Sequence, residues 1–422
     1  MGSSGVAGWV VTARGLYLVS MAVFLVTLAI GIPNGLDVVD VPRDILLAHV
    51  HSGTLGWISL GVVATAAWLF AGLDRRLAIG LAILVPLYVA AFASGNPPAR
   101  AIGGVALLVA ILLLIGWIWQ AYLGSARTVP QLAVALGLTT FTYGAVIGVL
   151  LQVQFATGAA WLSGDAIGSH AGAMVFAYLV LVAMGILEWR LRGTAGRPAS
   201  GIVQVGALFV GGLVLSGGLL LGVAQVAGGI YLLVTLVAIV LFAVRVAPAA
   251  LRSDWLAAGP GRHLGAAALW VIVAVAIYLY LVGQFLASGG DTSSINTGIL
   301  VASDHATFVG VMTNTLFGLI WTIAPPAGPA WRWPAHAVFW GMNAGLAIFV
   351  VGLAAAAPVL KEIGAPVMGV CILLGLAMLA IGLWRGLRDP LPVELQAPAP
   401  SAASAPAGAG SAAAAPASAP GR

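Results

Sequence analysis

Histidines at the starts of two long apolar stretches are the residues of this sequence with the clearest chemical potential. His49 and His51 begin one such stretch, and His305 begins another far downstream. An imidazole inside a membrane must lose water or find a partner, so each position is costly unless it serves a purpose. The order after the histidine is the same in both stretches. Four residues separate His51 from Gly56, and four separate His305 from Gly310.

We interpret His51 and His305 as the two axial ligands of one haem iron. At a rise of about 1.5 Å per residue, both lie roughly 8–9 Å along their predicted helices, which suits a macrocycle near one face of the membrane. His49 is two residues from His51 and therefore points about 200° away around the helix. We expect His49 to lie beside this cofactor or to hold a second one. Gly56 and Gly310 would let a flat macrocycle approach the helix, although small residues also let helices pack closely.

The elements that must position these histidines are membrane helices. The chain is 61% hydrophobic and 7% charged, and its mean hydropathy is +1.09. Apolar runs of about 20 residues, long enough to cross a bilayer core of about 30 Å, recur along the chain. We predict an all-α polytopic membrane protein with twelve transmembrane helices in one domain, residues 1–388. Cys371 is the only cysteine, which excludes disulfides and thiolate clusters within the chain.

A third histidine indicates how the helices are arranged. His170 begins the sixth predicted span, as His51 and His305 begin the second and tenth. It lies 119 residues after His51 and 135 before His305, so each histidine opens the second helix of a four-helix unit. This spacing predicts three such units around a pseudo-threefold axis. His170 is then a candidate ligand of a second metal or haem site.

The basic residues predict the orientation of the chain. In the twelve-span topology, Arg43, Arg100 and Lys361 fall on one side, and the other fourteen of the seventeen fall on the opposite side. The positive-inside rule then places both termini in the cytoplasm and the protein in the plasma (inner) membrane. The arginines stand singly or in pairs at helix ends, so nucleic acid is not an expected partner. Residues 389–422 are rich in Pro, Ala and Ser, and we expect a disordered cytoplasmic tail there.

Two histidines receive a different interpretation. His263 and His336 lie at the cytoplasmic starts of the ninth and eleventh spans, where we expect headgroups and water to solvate them. Two rival functions also remain open. A secondary transporter would show a twofold repeat and polar residues near the bilayer centre, and no charged relay crosses the predicted core. An assembly or scaffold subunit without a cofactor would keep the fold alone.

Three segments resemble the haem–copper oxidase superfamily, the core subunit of cytochrome oxidases and nitric oxide reductases. Residues 48–57 are similar to its second-helix motif, with His51 at the ligand position. Residues 304–312 are similar to its tenth-helix motif, with His305 at the low-spin ligand position, and residues 334–343 are similar to the start of its eleventh helix. The resemblance implies twelve helices in three arcs, haem b, an electron-transfer role and other respiratory or cytochrome subunits as partners.

The sequence also departs from that family. Ser303 stands where the family has a second haem ligand, residues 201–222 contain no histidine, and Ala-Gly-Ala-Met follows His170. The resemblance therefore implies one or two b-type haems without a complete haem–copper centre. If the protein is an enzyme, it is an oxidoreductase of the cytochrome oxidase or nitric oxide reductase type. The NnrS family of twelve-helix haem proteins is a looser parallel.

Overall fold

The chain forms helices that cross the structure from end to end. The computed structural model describes residues 4–162, 164–193, 196–324 and 332–386. The described residues are 86% helical and contain no strand. Helices are the expected solution, because a segment in lipid must satisfy its backbone hydrogen bonds internally. The predicted tail, residues 389–422, and the domain limit at 388 lie outside the described residues.

Twelve helices of the described chain are long and apolar enough to span a membrane. We label them α1 to α12 in chain order. Their bounds are Gly8–Gly35, Arg43–Leu69, Arg75–Ala93, Pro97–Leu123, Val129–Thr157, Ala166–Arg192, Ala199–Leu220, Ala224–Leu251, Pro260–Ala287, Thr297–Ile323, Arg332–Ala354 and Pro358–Arg385.

Polar residues cap the helices where the chain turns. Asn96 accepts a hydrogen bond from the backbone of Ala99 at the start of α4, and Asn296 accepts one from Ile299 at the start of α10. Thr128 caps α5 through a capping box. These side chains satisfy backbone N–H groups that a helix start would otherwise leave without partners. The turns between spans are therefore encoded locally.

Three helices form the centre of the bundle. In the most apolar window of α2, α6 and α10, 83, 83 and 89% of the residues are buried, against 33 to 61% in the other nine helices described.

The four-helix units predicted from the sequence contact one another in a regular way. We call α1–α4 unit A, α5–α8 unit B and α9–α12 unit C. Adjacent units meet through equivalent helix pairs: α4 with α5, α8 with α9, and α12 with α1. The arrangement is the predicted pseudo-threefold bundle of four-helix units.

Each central helix contains a π-helical segment. The segments are Ser52–Ser59 in α2, Ala173–Leu179 in α6 and Ala306–Thr313 in α10. A π-helical segment is rare, and such segments are frequent at functional sites. Three of them at corresponding places give the units a common register that the sequence does not reveal directly.

Candidate functional site

The four predicted site histidines lie at one end of the central helices, just before the π-helical segments. We call this the histidine end. His51 and His305 are each the ninth residue of their helix, and the π-helical segment follows each at once. The two positions are therefore equivalent, as their common spacing to Gly56 and Gly310 indicates. Gly172 holds this position in unit B.

A second set of equivalent positions lies two residues earlier. His49, His170 and Ser303 each come three residues before a π-helical segment. His170 thus corresponds to His49, whereas its spacing in the sequence is counted from His51. The difference arises because the sequence spacing was too coarse to separate two positions in α2 that are only two residues apart.

His49 and His170 make the same contact with the first helix of their own unit. His49 Nδ1 lies 2.9 Å from the carbonyl oxygen of Thr27 in α1, and His170 Nδ1 lies 2.8 Å from that of Gly144 in α5. Four residues beyond each carbonyl is a glycine. A Cβ at Gly31 would lie 2.6 Å from His49 Cε1, and one at Gly148 would lie 2.7 Å from His170 Cε1. Both rings therefore need a glycine beside them.

Unit C keeps this contact without the imidazole. The Ser303 hydroxyl is fully buried and donates to the carbonyl oxygen of Ala274 in α9, at 3.4 Å. The polar contact to the first helix of the unit is thus common to all three units. At this position, only units A and B have a ring that could bind a metal.

His51 and His305 face the third helix of their own unit. The His51 ring stacks on Phe92 of α3, with centroids 3.8 Å apart and planes 16° apart. The His305 ring meets Phe349 of α11 at 4.8 Å, closer to edge-on. Their Nδ1 atoms each lie 2.8 Å from the carbonyl oxygen four residues earlier, that of Leu47 or Val301. Both rings are thereby held in one orientation.

These contacts fix the chemical state of the four rings. A carbonyl oxygen can only accept, so each Nδ1 carries a proton, and Nε2 of the neutral ring keeps its lone pair. Histidines that bind metals commonly donate their other ring N–H to a backbone carbonyl in this way, which fixes the tautomer and strengthens the ligand. All four rings are half-buried inside the bundle. Each is therefore prepared to donate Nε2 to a metal.

Electrostatic interactions relate the four histidines in two pairs that cross the unit boundaries. His51 of unit A interacts electrostatically with His170 of unit B. His305 of unit C interacts in the same way with His49 of unit A. That His51 and His305 bind the same iron stays a prediction. The electrostatic interaction of His51 is with His170, and that of His305 is with His49.

Gly56 and Gly310, the two glycines predicted to border a cofactor, lie against neighbouring helices. A Cβ at Gly56 would lie 2.2 Å from a methyl carbon of Val23 in α1, and one at Gly310 would lie 2.6 Å from the Trp270 ring of α9. Close helix packing accounts for both glycines, which was the alternative considered from the sequence. Their contact with a macrocycle stays a prediction.

The boundary between units B and C contains a cavity of about 220 Å³ in place of a histidine pair. Gly172 lies in its wall, and the other helices around it are α7, α8, α9 and α10. Phe176, Tyr278 and Phe285 supply aromatic surface, and most of the other lining residues are aliphatic. The two positions that carry histidines elsewhere are Gly172 and Ser303 here, so this boundary has the same architecture without the imidazoles.

His263 is a buried residue that the sequence analysis placed wrongly. It is fully buried, its Nδ1 lies 3.0 Å from Asn314 Oδ1, and rings of Phe317 and Phe339 surround it. The expectation that it is solvated at the interface is therefore incorrect. The first residues of α9 are covered by side chains of α10 and α11, and only the tertiary structure shows this.

His336 is half-buried and its Nδ1 accepts a hydrogen bond from Arg262, so it does not share the tautomer of the four site histidines.

The protein supplies two ligands at each site, and this number limits the metals that can bind there. Among the described residues, no three His, Cys, Asp or Glu side chains converge as a group that could hold a metal ion. A macrocycle supplies four ligands in its own plane, so iron in a haem needs only two from the protein. The pairs of imidazoles therefore fit a haem better than a bare ion.

No known protein family matches the chain, and no curated protein matches it significantly.

Proposed function

We propose that this chain is a haem-binding integral membrane protein of the haem–copper oxidase type, which uses bis-histidine haem iron to transfer electrons. The observation that carries the proposal is the shared state of four histidines at one end of the bundle. Each donates its Nδ1–H to a backbone carbonyl, which leaves Nε2 available to a metal, and each interacts electrostatically with a second such ring. His263 and His336 are bonded differently.

The residues have defined tasks in this function. A haem iron with two imidazole ligands is six-coordinate and low-spin, and it passes single electrons. His51 and His305 would each bind haem iron, and their phenylalanine neighbours hold the rings in place. The backbone carbonyls orient all four imidazoles and increase their basicity. With two imidazoles from the protein, the iron would keep no open position for oxygen, which favours electron transfer over binding of oxygen.

The threefold organisation supports this proposal over a transporter. An alternating-access transporter typically relates two halves by a twofold axis and binds substrate near the bilayer centre. Here three units surround the axis, and the four oriented histidines lie towards one end. A scaffold protein without a cofactor would have no use for four oriented imidazoles, which are costly in a membrane.

The reduced-minus-oxidised absorption spectrum of the purified protein tests the proposal. Wild-type protein, made with haem supplied, should give the narrow bands of a low-spin b-type haem. His305→Ala and His51→Ala should each lose haem or shift part of it to high spin. His336→Ala is the matched control and should keep the wild-type spectrum, because its Nδ1 accepts a hydrogen bond from an arginine. Absence of haem from folded wild-type protein would overturn the proposal and favour the transporter or scaffold.

A further inference from the structure

We propose that the bundle holds two separate bis-histidine haems at two of its three unit boundaries. His305 and His49 form one site, at the boundary of units C and A. His51 and His170 form the other, at the boundary of units A and B. This inference rests on the proposed function, and it assigns the second site and the pairing of the ligands.

Helix geometry separates the two sites. His49 and His51 belong to the same α-helical segment and are two residues apart, so their side chains leave the axis about 200° from each other. The contacts agree with this, because His49 bonds to α1 and His51 stacks on α3. One macrocycle cannot bind both rings. Helix α2 therefore presents one ligand to each of its two boundaries.

The two sites have equivalent surroundings. The His305–His49 pair involves α10 and α11 on one side and α1 and α2 on the other. The His51–His170 pair involves α2 and α3 on one side and α5 and α6 on the other. In each pair, one ring lies against a phenylalanine from the third helix of its unit, and the other bonds to the first helix of the next unit. The same set of contacts thus occurs twice.

Each of these two boundaries has a cation in the first turn of one of the helices that form it. Arg100 is the fourth residue of α4 and pairs with Asp44, and Lys361 is the fourth residue of α12 and pairs with Asp37. Haem carries two propionates, and charge-assisted hydrogen bonds to cations suit such carboxylates. The fourth residue of α8, at the remaining boundary, is Ala227. The boundary without histidines thus has an alanine at the position of the cation.

Arg100 is tied to the second site by contacts of its own. Its guanidinium lies 5.1 Å from the centroid of the Phe92 ring, on which His51 stacks, and it interacts electrostatically with His51. Its side chain is largely buried, and its Nε has no hydrogen-bond partner. A buried donor without a partner is costly, and a propionate oxygen would satisfy it.

The test is the number of haems per chain, measured in wild type and in alanine variants of the four histidines. Wild type should hold two. Each single variant should lose one, and the double variant His51→Ala with His170→Ala should still hold one, as should His49→Ala with His305→Ala. The crossed double variant His51→Ala with His305→Ala should lose both. Added imidazole should restore low-spin signals in single variants, which a merely structural role of the ring would not produce.

Other results separate this inference from the proposed function. One haem in wild type, lost in both His51→Ala and His305→Ala but kept in His49→Ala and His170→Ala, would overturn the two-site pairing and leave the function in place. Two haems with losses that follow other pairs would overturn the pairing as well. Absence of haem from folded wild type would overturn the proposed function itself.

Discussion

His49 and His170 stand in the same relationship to the protein, although they lie in different units and have different sequence neighbours. Each comes three residues before a π-helical segment, donates Nδ1–H to a backbone carbonyl of the first helix in its unit, and lies against a glycine of that helix. This repeated contact shows that the units share details of side-chain placement as well as helix order.

Alanine at Gly31 or Gly148 should displace the adjacent histidine and remove one haem. The new Cβ would lie within 2.7 Å of a ring carbon, and relief of such a clash costs about 1–3 kcal/mol. Haem content and absorption of the purified variants check this. Gly80→Ala is the control, because its Cβ would meet nothing within 4 Å. Wild-type haem content in both test variants would show that the rings do not bind the cofactor.

Replacement of Arg100 by Gln should lower the midpoint potential of one haem and leave the other unchanged. A nearby cation disfavours the extra positive charge of ferric iron, so its removal stabilises the oxidised state by an amount on the order of tens of millivolts. Potentiometric titration followed by absorbance measures this shift. Arg100→Lys should keep most of the potential. Lys361→Gln should lower the potential of the other haem, and equal effects on both haems would contradict the assignment of one cation to each site.

Removal of the Glu188 charge should destabilise the end of the bundle opposite the histidines. Glu188 of α6 is fully buried, and Arg245 of α8, itself largely buried, donates to its carboxylate. Glu188→Gln would leave the arginine without a counter-charge, at a cost of about 3–5 kcal/mol. Thermal unfolding in detergent measures the loss. Arg192→Gln serves for comparison, because this half-exposed arginine lies 3.6 Å from the same carboxylate and should contribute at most about 1 kcal/mol.

His263→Ala should leave the haem content unchanged and lower stability. The substitution removes one of the two hydrogen bonds that Asn314 Oδ1 accepts, the other being from Asn343 Nδ2, and loss of one such bond costs about 0.5–1.5 kcal/mol. Haem stoichiometry and unfolding temperature, measured on the same preparation, separate the two effects. Loss of haem with unchanged stability would place His263 among the ligands and contradict its structural role.

The sequence predicted the architecture well because the membrane imposes it. Apolar runs long enough to span lipid have few alternatives to helices, and the second span predicted from about residue 45 is observed as Arg43–Leu69. His51 and His305, which share the same spacing to a following glycine, also occupy equivalent positions in α2 and α10. These features depend on local spacing, which a single sequence contains.

The relationship among the histidines could not be predicted, because it depends on tertiary contacts. Gly31 and Gly148 are two of 56 glycines, and only the rings beside them distinguish them from the rest. The correspondence of His170 with His49 requires the register of the π-helical segments. The burial of His263 requires the packing of α9 beneath two other spans. In each case, the decisive contact joins residues far apart in the chain.

The shared register of the central helices also determines the direction in which charge would move. His49 and His51 differ in depth by about 3 Å, and His170 and His305 occupy corresponding levels in their own helices. Two haems held by these residues would lie side by side in one plane parallel to the bilayer. Moving a charge across the membrane potential involves about 2.3 kcal/mol per 100 mV, but movement within such a plane involves almost none. Electron exchange between the two sites would therefore be electrically silent, independent of membrane voltage.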